Sequence, residues 1–349
     1  MKNKFLLVFT ALLFTFLFWS FGSVVFALTI SPPVMELEGN PGRVTPGAIR
    51  IFNETEKTVS FYVSVTGFTA KPGEKGEPLF FEPTDKVDLP SWIEIDKGPI
   101  EVGPKEWKEV QFSIRVPEWA NPGGHYAAIF LSTEPGIAKP GEATIGIRGM
   151  VGTLVLLSIP GEVKEQGRLI EFSLVEEKRV FEHLPIKFRV RVENQGTVHI
   201  KPAGIIEIRN IFGRKVGEAK VNIAKMPDGK ERAVGNVLPN SIRMFESVWQ
   251  KKKSSQEFNP PKTFFEKVKF EKENFAFGRY QAKLNLVYGA KKDKNLTAVV
   301  NFWVFPWHLI LVSLALVIVL ILLIVFGVRK YNQWIIKKAM NSKMSPRWN

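Results

Sequence analysis

The chain has 349 residues, no cysteine and four imidazoles, His125, His183, His199 and His308. No two histidines stand at the His-x-x-x-His spacing that sets two ligands on one helix face. Without thiolates, a zinc site has to be assembled from distant positions. The nucleophile elbow Gly-x-Ser-x-Gly and the phosphate loop Gly-x-x-x-x-Gly-Lys-Ser/Thr are both missing. Gly146-Ile147-Arg148-Gly149-Met150-Val151-Gly152 is rich in glycine, but its spacing is wrong for a dinucleotide loop and no helical pattern follows. Its glycines read as partners of a buried strand. The 34 Asp and Glu could supply a glycosidase-type pair, which is defined in space, and no pattern marks one. No catalytic residue, metal or cofactor is expected.

One short run remains as a candidate site. After Pro122 come Gly123, Gly124, His125 and Tyr126, a Gly-Gly turn presenting an imidazole and a phenol beside a strand, as a partner-recognition edge would. The same run also reads as a plain turn into a strand from Tyr126 to Leu131, with Tyr126 packed inward.

The elements around this run are strands. Val59, Phe61, Val63 and Val65 alternate with Ser60, Tyr62 and Ser64, and Val110, Phe112, Ile114 and Val116 alternate with Gln111, Ser113 and Arg115. The same period recurs at Ile186 to Val192, Ile206 to Ile208 and Ala282 to Leu286, and it predicts antiparallel strands with one buried face. Pro41-Gly42, Pro46-Gly47, Pro72-Gly73, Gly98-Pro99 and Gly103-Pro104 punctuate them as turns. The prolines after Leu28 to Ser31 confine that segment to a sheet edge. Ile49 to Thr55 and Arg191 to Thr197 both run a strand into an Asn-led turn, an internal echo that predicts two copies of one architecture. Gln250 to Lys272, with little alternation, reads as a long loop.

The ends of the chain predict export and anchoring. Lys2 and Lys4 precede the apolar run Phe5 to Phe18, with a cleavage candidate at Val25-Phe26-Ala27; an uncleaved signal anchor is the alternative. Leu309 to Val328 carries no charge and, at about 1.5 Å per residue, spans one hydrocarbon core of about 30 Å. Trp303, Trp307 and Trp334 flank it, and the tail adds six basic and no acidic residues, which places it in the cytoplasm. Of 48 Lys and Arg, that tail and the signal hold eight, leaving 40 against 34 acids, so the ectodomain is only mildly basic and nucleic acid is not an expected partner.

The expected organisation is a signal peptide (1–27), two tandem Ig-like antiparallel β-sandwiches (28–160 and 161–304), a transmembrane helix (305–328) and a basic cytoplasmic tail (329–349), an all-β fold with one anchor. Without disulfides each sandwich must be held by its own core.

Leu28 to Pro33, Ile51 to Thr55, Val116-Pro117, Asn121 to Phe130 and Val151 to Leu157 together resemble the first domain of the WxL-interacting protein family. Asn194 to Gly196, His199 to Pro202, Asn210 to Gly213 and Phe277 to Tyr280 resemble its second domain more loosely, and Gln250 to Lys272 departs from its pattern. The resemblance implies a first domain associated with peptidoglycan and partner surface proteins, and a second associated with host ligands.

The expected function is therefore a non-enzymatic, single-pass cell-surface binding or scaffold protein, with cell-wall peptidoglycan or secreted surface proteins as partners. An extracytoplasmic chaperone or assembly factor is the alternative, because open-edged Ig-like domains can lend strands to secreted subunits. A wall-modifying hydrolase is a third reading.

Overall fold

A computed structural model describes residues 28–82, 88–133, 150–251 and 261–343. The expected signal segment, Gly146 to Gly149 and the last six residues lie outside them. The chain forms two compact units, one holding the chain through Lys71 plus Pro78–Lys164, the other Pro72–Glu77 plus the chain from Glu165 onward.

In the first unit the elements run β1 (Leu28–Ser31), β2 (Val34–Glu38), β3 (Val44–Asn53), β4 (Val59–Ala70), β5 (Pro78–Phe81), a helical turn α1 (Leu89–Trp92), β6 (Ile93–Ile95), β7 (Ile100–Val102), β8 (Trp107–Arg115), β9 (Gly123–Ser132) and β10 (Val151–Ile159). One sheet has the order β1-β3-β8-β6 and the other β2-β10-β9-β4-β5, with β7 also on β4. The alternating residues do what their period requires: Ile49 and Ile51 of β3, Ile114 of β8, Ile129 and Leu131 of β9 and Leu157 of β10 meet in one buried core.

The second unit runs β11 (Gly167–Leu174), β12 (Val180–Phe181), β13 (Ile186–Asn194), β14 (Ala203–Asn210), β15 (Lys215–Val221), β16 (Ile223–Lys225), β17 (Glu231–Ala233), β18 (Ser241–Trp249), α2 (Phe264–Glu273), β19 (Gly278–Tyr288), β20 (Lys294–Val304) and α3 (Trp307–Lys343). Its sheets are β11-β13-β18 and β12-β20-β19-β14-β15, with β16 and β17 as a separate hairpin. Phe188 and Val190 face Leu284, Leu286 and Phe302 in its core. The fold is all-β apart from the helices, two Ig-like sandwiches in tandem.

Both units open with the same device. β1 pairs antiparallel with β3, then the chain crosses at Pro32-Pro33 and β2 pairs parallel with β10 on the other sheet. In the second unit β11 pairs antiparallel with β13, and β12 then pairs parallel with β20. The internal echo proves to be chemical as well as topological. Asn53, 1% exposed at the end of β3, donates from Nδ2 to the carbonyls of Lys57, Val102 and Gly103 at 2.8–3.0 Å, while its Oδ1 accepts from the Thr55 amide at 3.0 Å. Asn194, fully buried at the end of β13, donates to Val198 and Val237 carbonyls, both at 2.8 Å, and accepts from the Gly196 amide at 2.9 Å. In each copy one carboxamide serves the residue two ahead, the residue four ahead and a carbonyl more than 40 residues away.

Three sequence expectations are corrected. Pro46-Gly47 is no turn: both residues lie inside β3, opposite Ser113 and Phe112, and a Cβ on Gly47 would come within 2.2 Å of the Phe112 ring. That glycine makes room for an aromatic ring rather than bending the chain. Within the stretch read as a loop, Phe264–Glu273 is a helix closed by a capping box, in which the Thr263 hydroxyl accepts from the Glu266 amide and Glu266 accepts from the Thr263 amide. The terminal helix starts at Trp307 and continues past Val328 to Lys343, so Arg329, Lys330, Lys337, Lys338 and Lys343 extend the helix. Trp307–Lys338 is long and apolar enough to cross a membrane.

Replacing either buried carboxamide removes the donor to Val102 and Gly103, or to Val198, together with the acceptor of the Thr55 or Gly196 amide, and each buried group left unmatched costs about 1–3 kcal/mol. Asn53→Ala and Asn194→Ala should each lose about 2–4 kcal/mol, read as a lower denaturation midpoint of the detergent-solubilised chain. Asn53→Asp should be at least as damaging at neutral pH, because it turns a carboxylate toward three carbonyl oxygens. A midpoint unchanged in the alanine variants would show that the turns do not depend on these amides.

Candidate functional site

The residues of the Gly123-to-Tyr126 run do not form a turn. Gly123 and Gly124 open β9 itself, opposite Ile159 and Ser158, and Gly123 has φ +130°, a conformation a side chain would resist. His125 and Tyr126 then fall on opposite faces of the sheet, so the structure divides the pair instead of bringing it together.

His125 points toward the core side, at one end of the sandwich. Its ring lies 4.7 Å from that of Trp92, which in turn meets Trp119 edge-on at 6.1 Å. Nδ1 is 3.1 Å from Asp88 Oδ1 and Nε2 is 2.9 Å from the Asn121 carbonyl. Both partners can only accept, so the two contacts are satisfied together when both ring nitrogens carry protons. Burial works against that charge, but the hydrogen bonds to Asp88 and Asn121 and the attraction of the Asp88 carboxylate outweigh it, and the His125 pKa is raised above 6.5. Asp88 is held below its usual value, first by the bond from His125. It also caps α1, its Oδ1 accepting from the Leu89 amide at 2.8 Å. Both nitrogens are engaged inside the protein, an arrangement that favours the protonated ring. The Trp92 indole N–H beside it is buried without a hydrogen-bond partner among the described residues.

Tyr126 corrects the expectation of inward packing. Ala127, Ile129 and Leu131 occupy the core, so Tyr126 and Phe130 take the outer face. There Tyr126 packs on Phe68 at 5.7 Å, Phe68 on Phe80 at 6.3 Å, and Phe80 edge-on to Phe130 at 4.9 Å. This aromatic face borders β5, the last strand of its sheet, where Leu79, Phe80 and Phe81 are all exposed. Sequence reasoning missed this edge because three consecutive apolar residues have no period. The signal available was that run itself, bounded by Pro78 and Glu82.

A second cluster also went unread. Glu182, Glu271 and His308 bring two carboxylates and an imidazole within 4.8 Å of one another, a donor set able to hold a divalent cation. These groups already serve the start of α3. Glu271, fully buried, bonds His308 Nδ1 at 2.5 Å through Oε1 and accepts the Leu309 amide at 2.8 Å through Oε2. Glu182 accepts from the Trp307 indole at 3.1 Å. A carboxylate on the first free amides of a helix satisfies them and opposes the helix dipole.

No protein family matches the chain, and no curated protein does. Among solved structures, the class 5 fimbriae chaperone CfaA is 11% identical, with 78% of this chain and 98% of that one covered at a TM-score of 0.35. A chain from the complex of Salmonella enterica SafA pilin with the SafB chaperone is 9% identical, covering 81% and 99% at 0.32. The Pseudomonas aeruginosa CupB2 chaperone is 9% identical, covering 78% and 100% at 0.32. At such identities and scores, function has to be argued from the chain's own geometry.

The His125–Asp88 pair predicts a pH profile. A raised histidine stabilises fully below about pH 6.5 and loses its contribution as pH rises through the folded value, while a lowered carboxylate stabilises above about pH 3.8 and fails as pH falls. The pair's contribution should be flat between those limits and decline on both sides. It should amount to at most about 1 kcal/mol, because Asp88 keeps half its side chain in water. Asp88→Asn should lower the His125 pKa measured by NMR titration; an unchanged value would refute the pairing. For the second cluster, Glu271→Ala should cost about 2–4 kcal/mol by leaving the Leu309 amide and His308 without their acceptor, seen as faster amide exchange in the first turn of α3.

Proposed function

We propose that the chain is a non-enzymatic, membrane-anchored surface protein that binds extended segments of other exported polypeptides along the β5 edge of its first sandwich, serving as a scaffold or assembly factor for them. The observation carrying this reading is the contrast between the two edges of one sheet. β2, at one end, follows two prolines and carries Glu36 and Glu38, the usual protections of an edge. β5, at the other, exposes Leu79, Phe80 and Phe81 beside the aromatic face of Phe68, Tyr126 and Phe130. Main-chain hydrogen bonds to β5 would supply affinity, and its exposed Leu79, Phe80 and Phe81 would select apolar side chains of the incoming strand. The long apolar α3 supports anchoring, and its basic continuation supports a cytoplasmic C-terminus.

A second reading, binding of cell-wall polymer, has its own observation. On the first unit's other sheet, exposed Trp107 stacks on Phe52 at 5.0 Å with the Arg50 guanidinium 5.7 Å from its ring, an aromatic and cationic platform for an anionic glycan. The resemblance to WxL-interacting proteins makes peptidoglycan the polymer to test.

A photoreactive amino acid at Phe80, and a control at exposed Val44, separate the two readings on intact cells. Crosslinking of an exported polypeptide at position 80 and not at 44 is expected, with loss of yield in Leu79→Asp. If position 80 captures nothing beyond the control, and purified wall retains the wild-type protein but not Trp107→Ala, the polymer reading replaces the first.

A further inference from the structure

The second sandwich has an apolar end. Register places the β14–β15 turn there: Asn210 lies opposite Tyr280, and Tyr280 opposite Phe302, two residues before the strand ends at Val304 and the chain passes into α3. That turn carries Ile211 and Phe212, the latter 88% exposed. Helix α2 is fixed to the same end, because its Glu271 holds the Leu309 amide and His308, while its Phe264 ring lies 5.5 Å from the His308 ring and 5.6 Å from Phe265, which is 79% exposed. Phe305 on the lead-in to α3 and Trp307 at its start are exposed too. Exposed apolar residues scattered singly mean little, but six from three separate elements at one end make a surface. Exposed Arg214 in that turn, Lys262 just before α2, Lys269 and Lys272 on α2 and Arg279 at the start of β19 lie at this end, alongside the exposed Glu266 and Glu273 of α2. The opposite end, at the β19–β20 turn, presents Lys291, Lys292 and Asp293 instead.

We infer that this end of the second sandwich is seated on the lipid bilayer, with Phe212 and Phe265 entering the boundary between headgroups and acyl chains and the basic residues lying among the headgroups. The occupant follows from continuity. The surface lies at the end from which α3 leaves, and the apolar stretch that follows is wholly unburied. Aromatic rings with basic neighbours at the end of a spanning segment match the chemistry of the interface. The inference rests on reading α3 as membrane-spanning.

The absence of native cysteine makes single labels unique. Nitroxides at Phe212→Cys, Phe265→Cys, Lys291→Cys and Val319→Cys in the full chain, reconstituted in vesicles of neutral and anionic phosphatidyl lipids, would be read by collision with oxygen, which favours lipid, and with a nickel chelate, which favours water. Positions 212 and 265 should both report lipid, at a depth of roughly 5–10 Å, shallower than 319, while 291 reports water. The strands separating 291 from this end are about 30 Å long, so the contrast should be large. Water-like collisions at 212 and 265 with 319 in lipid would overturn the seating and leave the anchor standing. Protection of 212 and 265 from both reagents would mean that protein covers them, and would overturn it equally. Water-like collisions at 319 would remove the spanning reading and this inference with it.

Discussion

Each sandwich depends on one buried carboxamide. A β-sandwich must tie the end of a central strand to chain arriving from elsewhere, and a chain with no cysteine cannot do so covalently. Asn53 and Asn194 do it with hydrogen bonds. Asparagine suits the position because it offers two donors and an acceptor on a short, neutral side chain. Aspartate would lack the donors, serine would lack reach, and a hydrophobic residue would offer neither the donors nor the acceptor for the turn amide. The Thr55 and Gly196 amides accepted by Oδ1 fix the local turn, while the Val102 and Val237 carbonyls, 49 and 43 residues away, fix the tertiary approach. Local and long-range constraints thus meet in one group, which is why both units carry the same residue at the same place.

The strands were legible because their signal is local. Burial on one face imposes period two, and Phe61 and Val63, or Phe188 and Val190, announce it within five residues. The asparagine echo was legible for the same reason, although its distant partners were not. What escaped was whatever depends on a neighbour far along the chain. Gly47 follows a proline and looks like a turn; only the Phe112 ring, brought across from β8, explains it. α2 lacks a clear apolar face because the residue it buries most completely is Glu271, whose purpose lies 37 residues away on α3. Its start was nonetheless written in the sequence as Thr263-Phe264-Phe265-Glu266, a capping box that the surrounding lysines obscured.

The candidate site shows how a face assignment decides function. His125 and Tyr126 are adjacent in sequence and read together as one recognition motif. A strand sends neighbours to opposite sides, so the imidazole joins Asp88 in the sandwich while the phenol joins the outer aromatic face. Chemistry follows the division. Two acceptors occupy both histidine nitrogens and favour the protonated ring, whereas the tyrosine contributes to the aromatic face bordering the β5 edge.

The start of α3 makes the last connection. A single apolar helix is by itself a poor handle, since a chain leaving a domain through a flexible link transmits neither orientation nor height. Here Phe305 donates its amide to the Phe181 carbonyl at 2.7 Å, Glu182 holds the Trp307 indole, and Glu271 holds both His308 and the Leu309 amide. The helix therefore leaves the second sandwich as a continuation of its packing. Burying a carboxylate is costly unless every oxygen is matched, and both oxygens of Glu271 are matched by groups belonging to the first three residues of α3. Moving the start of α3 away from α2 would leave at least one of these oxygens unmatched. The start of α3 is thereby tied to α2, and to β12 and the Glu182 that follows it, at four points within five residues, Phe305 to Leu309.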